Sequence, residues 1–269
     1  MFHRIVIPLT AEPTIAATAG TARSLAQRLG AELIELPCGG DDVSERAKAT
    51  LAAAEEERAD LIILPTGSCA GADGRACATT LARLLSSAPA PVLVISQSPA
   101  DVVFPEPLAP STSLVIAPLD GTAAAERALP YAIALASQLD RVLLLAHVVP
   151  ASLRLDDPER SVAWANADRE GRRYLRAVRQ RIAAQTSVAV ETMQLHGDVG
   201  QALARLVQAH EGSLLVFRAH DERGLDRVFH TNVTDDLLQR APCPLLVIPS
   251  LSQRIRYREE VVVVTTQRR

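Results

Sequence analysis

The octapeptide Ala88-Pro-Ala-Pro-Val-Leu-Val-Ile95 recurs in this chain as Ala241-Pro-Cys-Pro-Leu-Leu-Val-Ile248, at an offset of 153 residues. Further upstream, Asp60-Leu-Ile-Ile-Leu64 recurs at the same offset as Ser213-Leu-Leu-Val-Phe217. Near the start, Ile7-Pro8-Leu9-Thr10 matches Ala117-Pro118-Leu119-Asp120, now at an offset of 110. One pattern is therefore written twice, and repeats of this kind decide the fold before any single element does. The two offsets differ by 43, so the second copy carries 43 extra residues between its second strand and its middle helix.

Each copy alternates strand and helix. Residues 4–9 and 113–119 are short apolar runs, the pattern of strands buried on both faces. Helices follow over 14–29, ended by Gly30, and over 122–139. The runs 32–36 and 141–149 read as second strands. In the second copy a charged helix over about 158–184 and a strand over about 187–195 fill the extra residues. Helices at 43–58 and 198–210, strands at 61–64 and 214–217, helices at 76–86 and 230–240, and strands at 91–95 and 244–248 complete the copies. Strands alternating with helices give parallel sheets with right-handed crossovers, here two open α/β sheets with the first one smaller. The expected organisation is a shortened first domain over 1–97, a Pro-rich stiff linker over 98–112, a second domain over 113–250 and a tail over 251–269. The tail runs Arg254, Arg256, Arg258 and then Val261–Val264, which reads either as an added edge strand or as an unanchored terminus.

Composition narrows the function classes. The chain has 269 residues, 48% of them hydrophobic and 22% charged, which excludes a disordered or collagen-like polymer. The net charge of -3 and an aromatic content of 3% argue against a nucleic-acid binder, which needs cations for phosphates and rings for bases. Cys38, Cys69, Cys77 and Cys243 form no C-x-x-C pair, so neither a zinc knuckle nor a disulfide framework is expected. No apolar run approaches membrane-span length, and a cytoplasmic location is expected.

Four second-copy segments together carry a family resemblance: VIAPLDGTAAAERALPYAIALASQL (115–139), RVLLLAHVV (141–149), HGDVGQALARLVQAHEGSLLVF (196–217) and GLDRVFHTNVTDDLLQRAPCPLLVIP (224–249). They resemble the universal stress protein family in its tandem form. The resemblance implies a Rossmann-like sheet of the adenine nucleotide alpha-hydrolase-like type. It also implies an internal pseudo-dimer of the two copies, joined through their last strands, Val92–Ile95 against Leu245–Ile248. A homo-oligomer is expected on the same ground.

Some members of that family bind ATP. A Gly-x-x-Gly turn after the fourth strand lets backbone N–H groups reach the phosphates, and a Gly-Ser or Gly-Thr pair at the last helix adds more donors. An Asp at the end of the first strand reaches the adenine or ribose. Here the second-copy turn positions fall on Arg218 and Asp221, and the later pair on Thr231 and Asn232. Only Asp120 stands as the family pattern asks, with Val148 beside it on the second strand. In the first copy the positions fall on Pro65, Ser68, Ala78 and Thr79, and Thr10 replaces the Asp. The expectation is a non-enzymatic stress-response or regulatory module with degenerate nucleotide motifs and no cofactor. The alternatives are a sensor of ATP, another adenine nucleotide or another anion in the second-copy pocket (Asp120, Val148, Arg218, Asp221, Thr231, Asn232), and a slow ATP hydrolase.

Other residues admit two readings each. Arg218 either holds an anion or pairs with Asp120 or Asp221. His147, His196, His220 and His230 fall near the same edge, as satisfied structural histidines, as metal ligands, or with His220–Asp120 as a general base. Cys38 and Cys69 are either a thiol sensor or two small residues. Arg169, Arg172, Arg173, Arg176 and Arg179 share a face of the 158–184 helix, as a docking stripe for a protein partner or as a solvated face. Trp164 and Tyr174 anchor that helix or line an interface.

Overall fold

The computed structural model describes residues 2–9, 13–37, 43–66, 74–96, 114–150, 158–219, 234, 237–238 and 243–250. The elements in chain order are β1 (Arg4–Leu9), α1 (Pro13–Leu29), β2 (Glu32–Pro37), α2 (Val43–Glu56), β3 (Leu61–Thr66), α3 (Gly74–Ser86) and β4 (Val92–Ser96). They continue with β5 (Val115–Pro118), α4 (Ala123–Glu126), α5 (Leu129–Gln138), β6 (Leu143–Val149), α6 (Pro158–Ala183), β7 (Val190–His196), α7 (Val199–Gln208), β8 (Leu214–Arg218) and β9 (Leu245–Ile248).

The strands form one sheet of nine in the order β2-β1-β3-β4-β9-β8-β5-β6-β7. The two expected parallel sheets meet edge to edge in a single sheet, through the last strand of each copy as the resemblance implied. The joint is the one antiparallel pair among the described residues, β4 with β9, in which Val92 faces Val247, Leu93 faces Leu246 and Val94 faces Leu245. Short, uncharged Val/Leu/Ile runs suit this joint because it is covered on both faces.

Alternate residues along each strand serve opposite layers. Ile5 and Ile7 join α1 in one core, while Val6 turns to the α2 and α3 side. The first core runs on under α5 and α6 in the second half, and the second core under α7. Each Leu, Ile or Val so buried contributes roughly 1.5–3 kcal/mol.

Helix ends follow local chemistry, with one departure from the sequence reading. Gly30 ends α1 at φ +62°, a conformation only glycine adopts without strain. The expected helix over 122–139 is two helices. Thr122 caps α4 by accepting from the Ala125 N–H at 3.1 Å, and α5 starts anew with Pro130 in its first turn. Proline lacks an N–H and crowds the preceding turn, so a helix restarts at it more easily than it runs through. Of the helix expected over 230–240, Thr234, Leu237 and Leu238 are described and are helical; its other residues lie outside the described ones, as do the linker and the tail.

Candidate functional site

Parallel strands leave a crevice beyond their carboxyl ends, and chain ends there are where open α/β sheets hold ligands. In this chain the ends of β5, β6 and β8 and the start of α7 enclose a cleft of about 220 Å³. Its walls are mainly apolar: Pro118, Leu119, Ala146, Val148, Val149, Ala167, Val199, Leu203, Phe217 and Leu237. Asp120, His147, Arg218 and Thr234 supply its polar groups.

Asp120 follows β5 and accepts from the Thr122 N–H at 2.8 Å and the Thr122 hydroxyl at 2.7 Å. Thr122 in turn caps α4, so the carboxylate is set by the turn that starts the helix. His147 leaves β6 toward α6, and its Nδ1 lies 2.7 Å from the Leu119 carbonyl, which makes Nδ1 the protonated nitrogen. Gly171 of α6 meets the other side of the ring: a Cβ there would come within 2.6 Å of Cδ2. Arg218 ends β8 and donates from Nη2 to the Ser250 carbonyl at 3.0 Å, tying the strand end to the exit of β9.

The α7 N-terminus supplies less than its position promises. The Asp198 carboxylate accepts from the Gln201 N–H at 3.0 Å, so the helix caps itself. Among the described lining residues Arg218 is the one guanidinium or ammonium group, and the Asp120 carboxylate shares its cleft. These groups fit a flat, base-sized apolar body with one or two polar substituents.

Of the residues singled out from the sequence, the structure brings Asp120, Val148 and Arg218 together in this cleft, with His147. Asp221, Thr231 and Asn232 lie outside the described residues, as do Ser68, Cys38, Cys69, His220 and His230, together with the expected His220–Asp120 pair. His147 is the satisfied structural histidine. His196 sits at the end of β7 and its Nε2–H donates to Asp168 at 2.7 Å. Among the described residues no group of three or more His, Cys, Asp or Glu is placed to hold a metal ion. Cys243 is buried.

A polar knot on α6 and β7 escaped the sequence reading. Asp168 accepts from His196, from Gln194 Nε2 at 2.8 Å and from Arg172 Nε at 3.0 Å. The His196 hydrogen bond, then Arg172, holds the Asp168 carboxyl below the usual carboxylate range. Trp164 lies on the His196 ring, centroids 5.2 Å apart. The Tyr174 hydroxyl donates to Glu126 at 3.0 Å, and Arg181 pairs with the same carboxylate. Burial and then Glu126 push the Tyr174 phenol up. Trp164 and Tyr174 are thus anchors of α6. The one trace of this in the sequence is Gly171, an interior helix glycine that needs a packing reason. The arginine face of α6 is exposed, with Arg172 drawn to Asp168 and Arg169 to Asn166 at 2.7 Å.

No helix among the described residues is long and apolar enough to cross a membrane. The family model for the universal stress protein family matches residues 113–249. Universal stress protein MJ0531 of Methanocaldococcus jannaschii is 24% identical over 138 residues, 50% of this chain and 80% of that one. A universal stress protein structure from Archaeoglobus fulgidus matches with a TM-score of 0.57 at 13% identity, covering 92% of this chain and 98% of that one. A structure described as a putative universal stress protein of Pseudomonas aeruginosa matches with a TM-score of 0.50 at 16% identity, over 92% and 82% of the two chains. At these identities the structural likeness speaks for the fold.

Proposed function

The chain belongs to the universal stress protein family and is a stress-response protein, and we propose that it is a tandem, non-catalytic regulatory module of that family whose cleft no longer holds a triphosphate. The observation that carries this reading is Arg218. It stands where the phosphate turn would begin, and its guanidinium is used to bind the Ser250 carbonyl. A glycine there would bring backbone N–H groups to a ligand; an arginine brings one long side chain, here engaged in joining β8 to the end of β9.

In this reading residues 1–97 complete an internal pseudo-dimer, with β4 and β9 as the seam, and residues 113–250 keep the pocket. The pocket residues are Asp120, Val148 and Arg218, with Asp221, Thr231 and Asn232 from the segment outside the described residues. A reducing, cytoplasmic setting suits the four unpaired-by-spacing cysteines.

A second reading rests on the cleft itself. About 220 Å³ of mainly apolar wall with a carboxylate at one side is the size and chemistry for a purine-like ring. Such a sensor would take a nucleoside or monophosphate in preference to ATP.

The test is thermal unfolding of the full chain with magnesium and, separately, ATP, ADP, AMP and adenosine. A ligand that binds only the folded state raises the midpoint by mass action. The first reading expects no shift with any of them. A saturable shift with AMP or adenosine, abolished in Asp120→Ala, selects the second reading. A shift with ATP larger than with AMP overturns both.

A further inference from the structure

Beside the cleft lies a second cavity, of about 340 Å³, between α4, the first turn of α5 and the ends of β8 and β9. Arg218 belongs to the linings of both. The rest of the second lining is its own: Glu126, Arg127, Pro130, Tyr131, Ile248 and Pro249 form most of it, and none of these lines the cleft. A volume of this order suits a small molecule.

Three features give the cavity a positive character. Arg127 is exposed at the end of α4, and among the described residues nothing pairs with its guanidinium. Arg218 ends β8, and its hydrogen bond to the Ser250 carbonyl at 3.0 Å holds the guanidinium beside the exit of β9. The first turn of α5, with Pro130 and Tyr131, forms one wall. A helix start carries partial positive charge. Helix α7 answers its own with the Asp198 carboxylate, whereas Ala128 at the start of α5 makes no side-chain cap and no acidic residue lies in that first turn. Glu126 is the one carboxylate among the described lining residues. It already accepts from the Tyr174 hydroxyl at 3.0 Å and pairs with Arg181, so α6 neutralises it.

The remaining wall, with Pro130, Ile248 and Pro249, is apolar. An inorganic anion gains little from such a wall, and a neutral apolar molecule gains little from guanidiniums. A carboxylate on an apolar body gains from both, through charge-assisted hydrogen bonds at one end and burial at the other. We propose that this cavity is a second ligand site that takes a small organic monocarboxylate, its carboxylate against Arg127 and Arg218 and its apolar body against Pro130, Ile248 and Pro249. The site is independent of either reading of the cleft, which nucleotides and Asp120→Ala test.

The experiment is titration of the full chain with sodium benzoate and, separately, sodium hexanoate at constant ionic strength, read by amide chemical shifts. Saturable shifts should gather at Arg127, Tyr131 and Ile248 with at least one of the two, with a Kd of about 1 mM or below. Benzyl alcohol and inorganic phosphate should each bind at least about tenfold more weakly. Arg127→Ala should weaken carboxylate binding by about tenfold or more, and Arg127→Lys should keep part of the affinity. Arg127 is exposed and outside both cores, so these variants leave the fold intact. Absence of saturable shifts with both carboxylates overturns the proposal. So do shifts centred on Asp120, Val148 and Leu203, which would place the ligand in the cleft, equal binding of benzyl alcohol or phosphate, or full affinity in Arg127→Ala.

Discussion

Single residues decide how tightly α6 sits on the sheet. His147 is fixed on one side by the Leu119 carbonyl at 2.7 Å and neighbours Tyr174, ring centroids 6.3 Å apart. Gly171 leaves room for that ring, and a methyl would come within 2.6 Å of it. Gly171→Ala gains about 1 kcal/mol of helix propensity and loses about 1–3 kcal/mol to overpacking of a held ring. A net loss of about 1 kcal/mol is expected in urea unfolding, with the slope unchanged. A higher midpoint would show that the ring swings away freely. The glycine was visible in the sequence, but its reason was not, because His147 lies 24 positions away and meets it only through packing.

At the scale of elements, α6 and β7 form a unit tied by one carboxylate. The Asp168 side chain is 16% exposed and serves His196, Gln194 and Arg172 together. Its carboxyl is held low in the folded chain, chiefly by the His196 hydrogen bond. A depressed folded value means that the stability it adds is fully present above the unfolded value of about 3.9 and is lost as pH falls through the folded one. Unfolding midpoints of the unaltered chain and of Asp168→Asn should therefore differ at pH 6 and begin to converge only below the unfolded value of about 3.9, as pH falls through the folded one. A gap that does not narrow as pH falls below about 3.9 would assign the effect to shape instead of charge. Strand and helix positions were largely legible from apolar runs, as in β1 and α1. The break between α4 and α5 was not, since an Ala/Leu-rich stretch scores as helix throughout and only Pro130 marks the restart.

Across the whole molecule the two halves share one core. Ile63, Leu93 and Ile95 pack in the same cluster as Val216, Leu246 and Ile248. Because β4 and β9 bury each other's edges, neither half can open without exposing a strand and an apolar layer of the other. Calorimetry should show one transition, with calorimetric and van't Hoff enthalpies equal. Leu246→Ala should cost about 2–5 kcal/mol and lower that single transition without splitting it. Two resolved transitions would mean that the seam is weaker than its packing.

The sequence by itself determined the recurring segments, the alternation of strand and helix and the family, because each is written in local residue types and their spacing. Only the tertiary structure decided three further matters. It set the antiparallel sense of the β4–β9 pairing that the resemblance had led one to expect, and so the continuity of the sheet. It placed Arg218 against the Ser250 carbonyl. It gathered Asp168, Gln194 and His196 into one knot. The physical reason is common to all three: each depends on which edges and side chains remain unsatisfied once the helices have packed. Partners for those groups come from residues distant in the chain, where spacing in the sequence carries no signal.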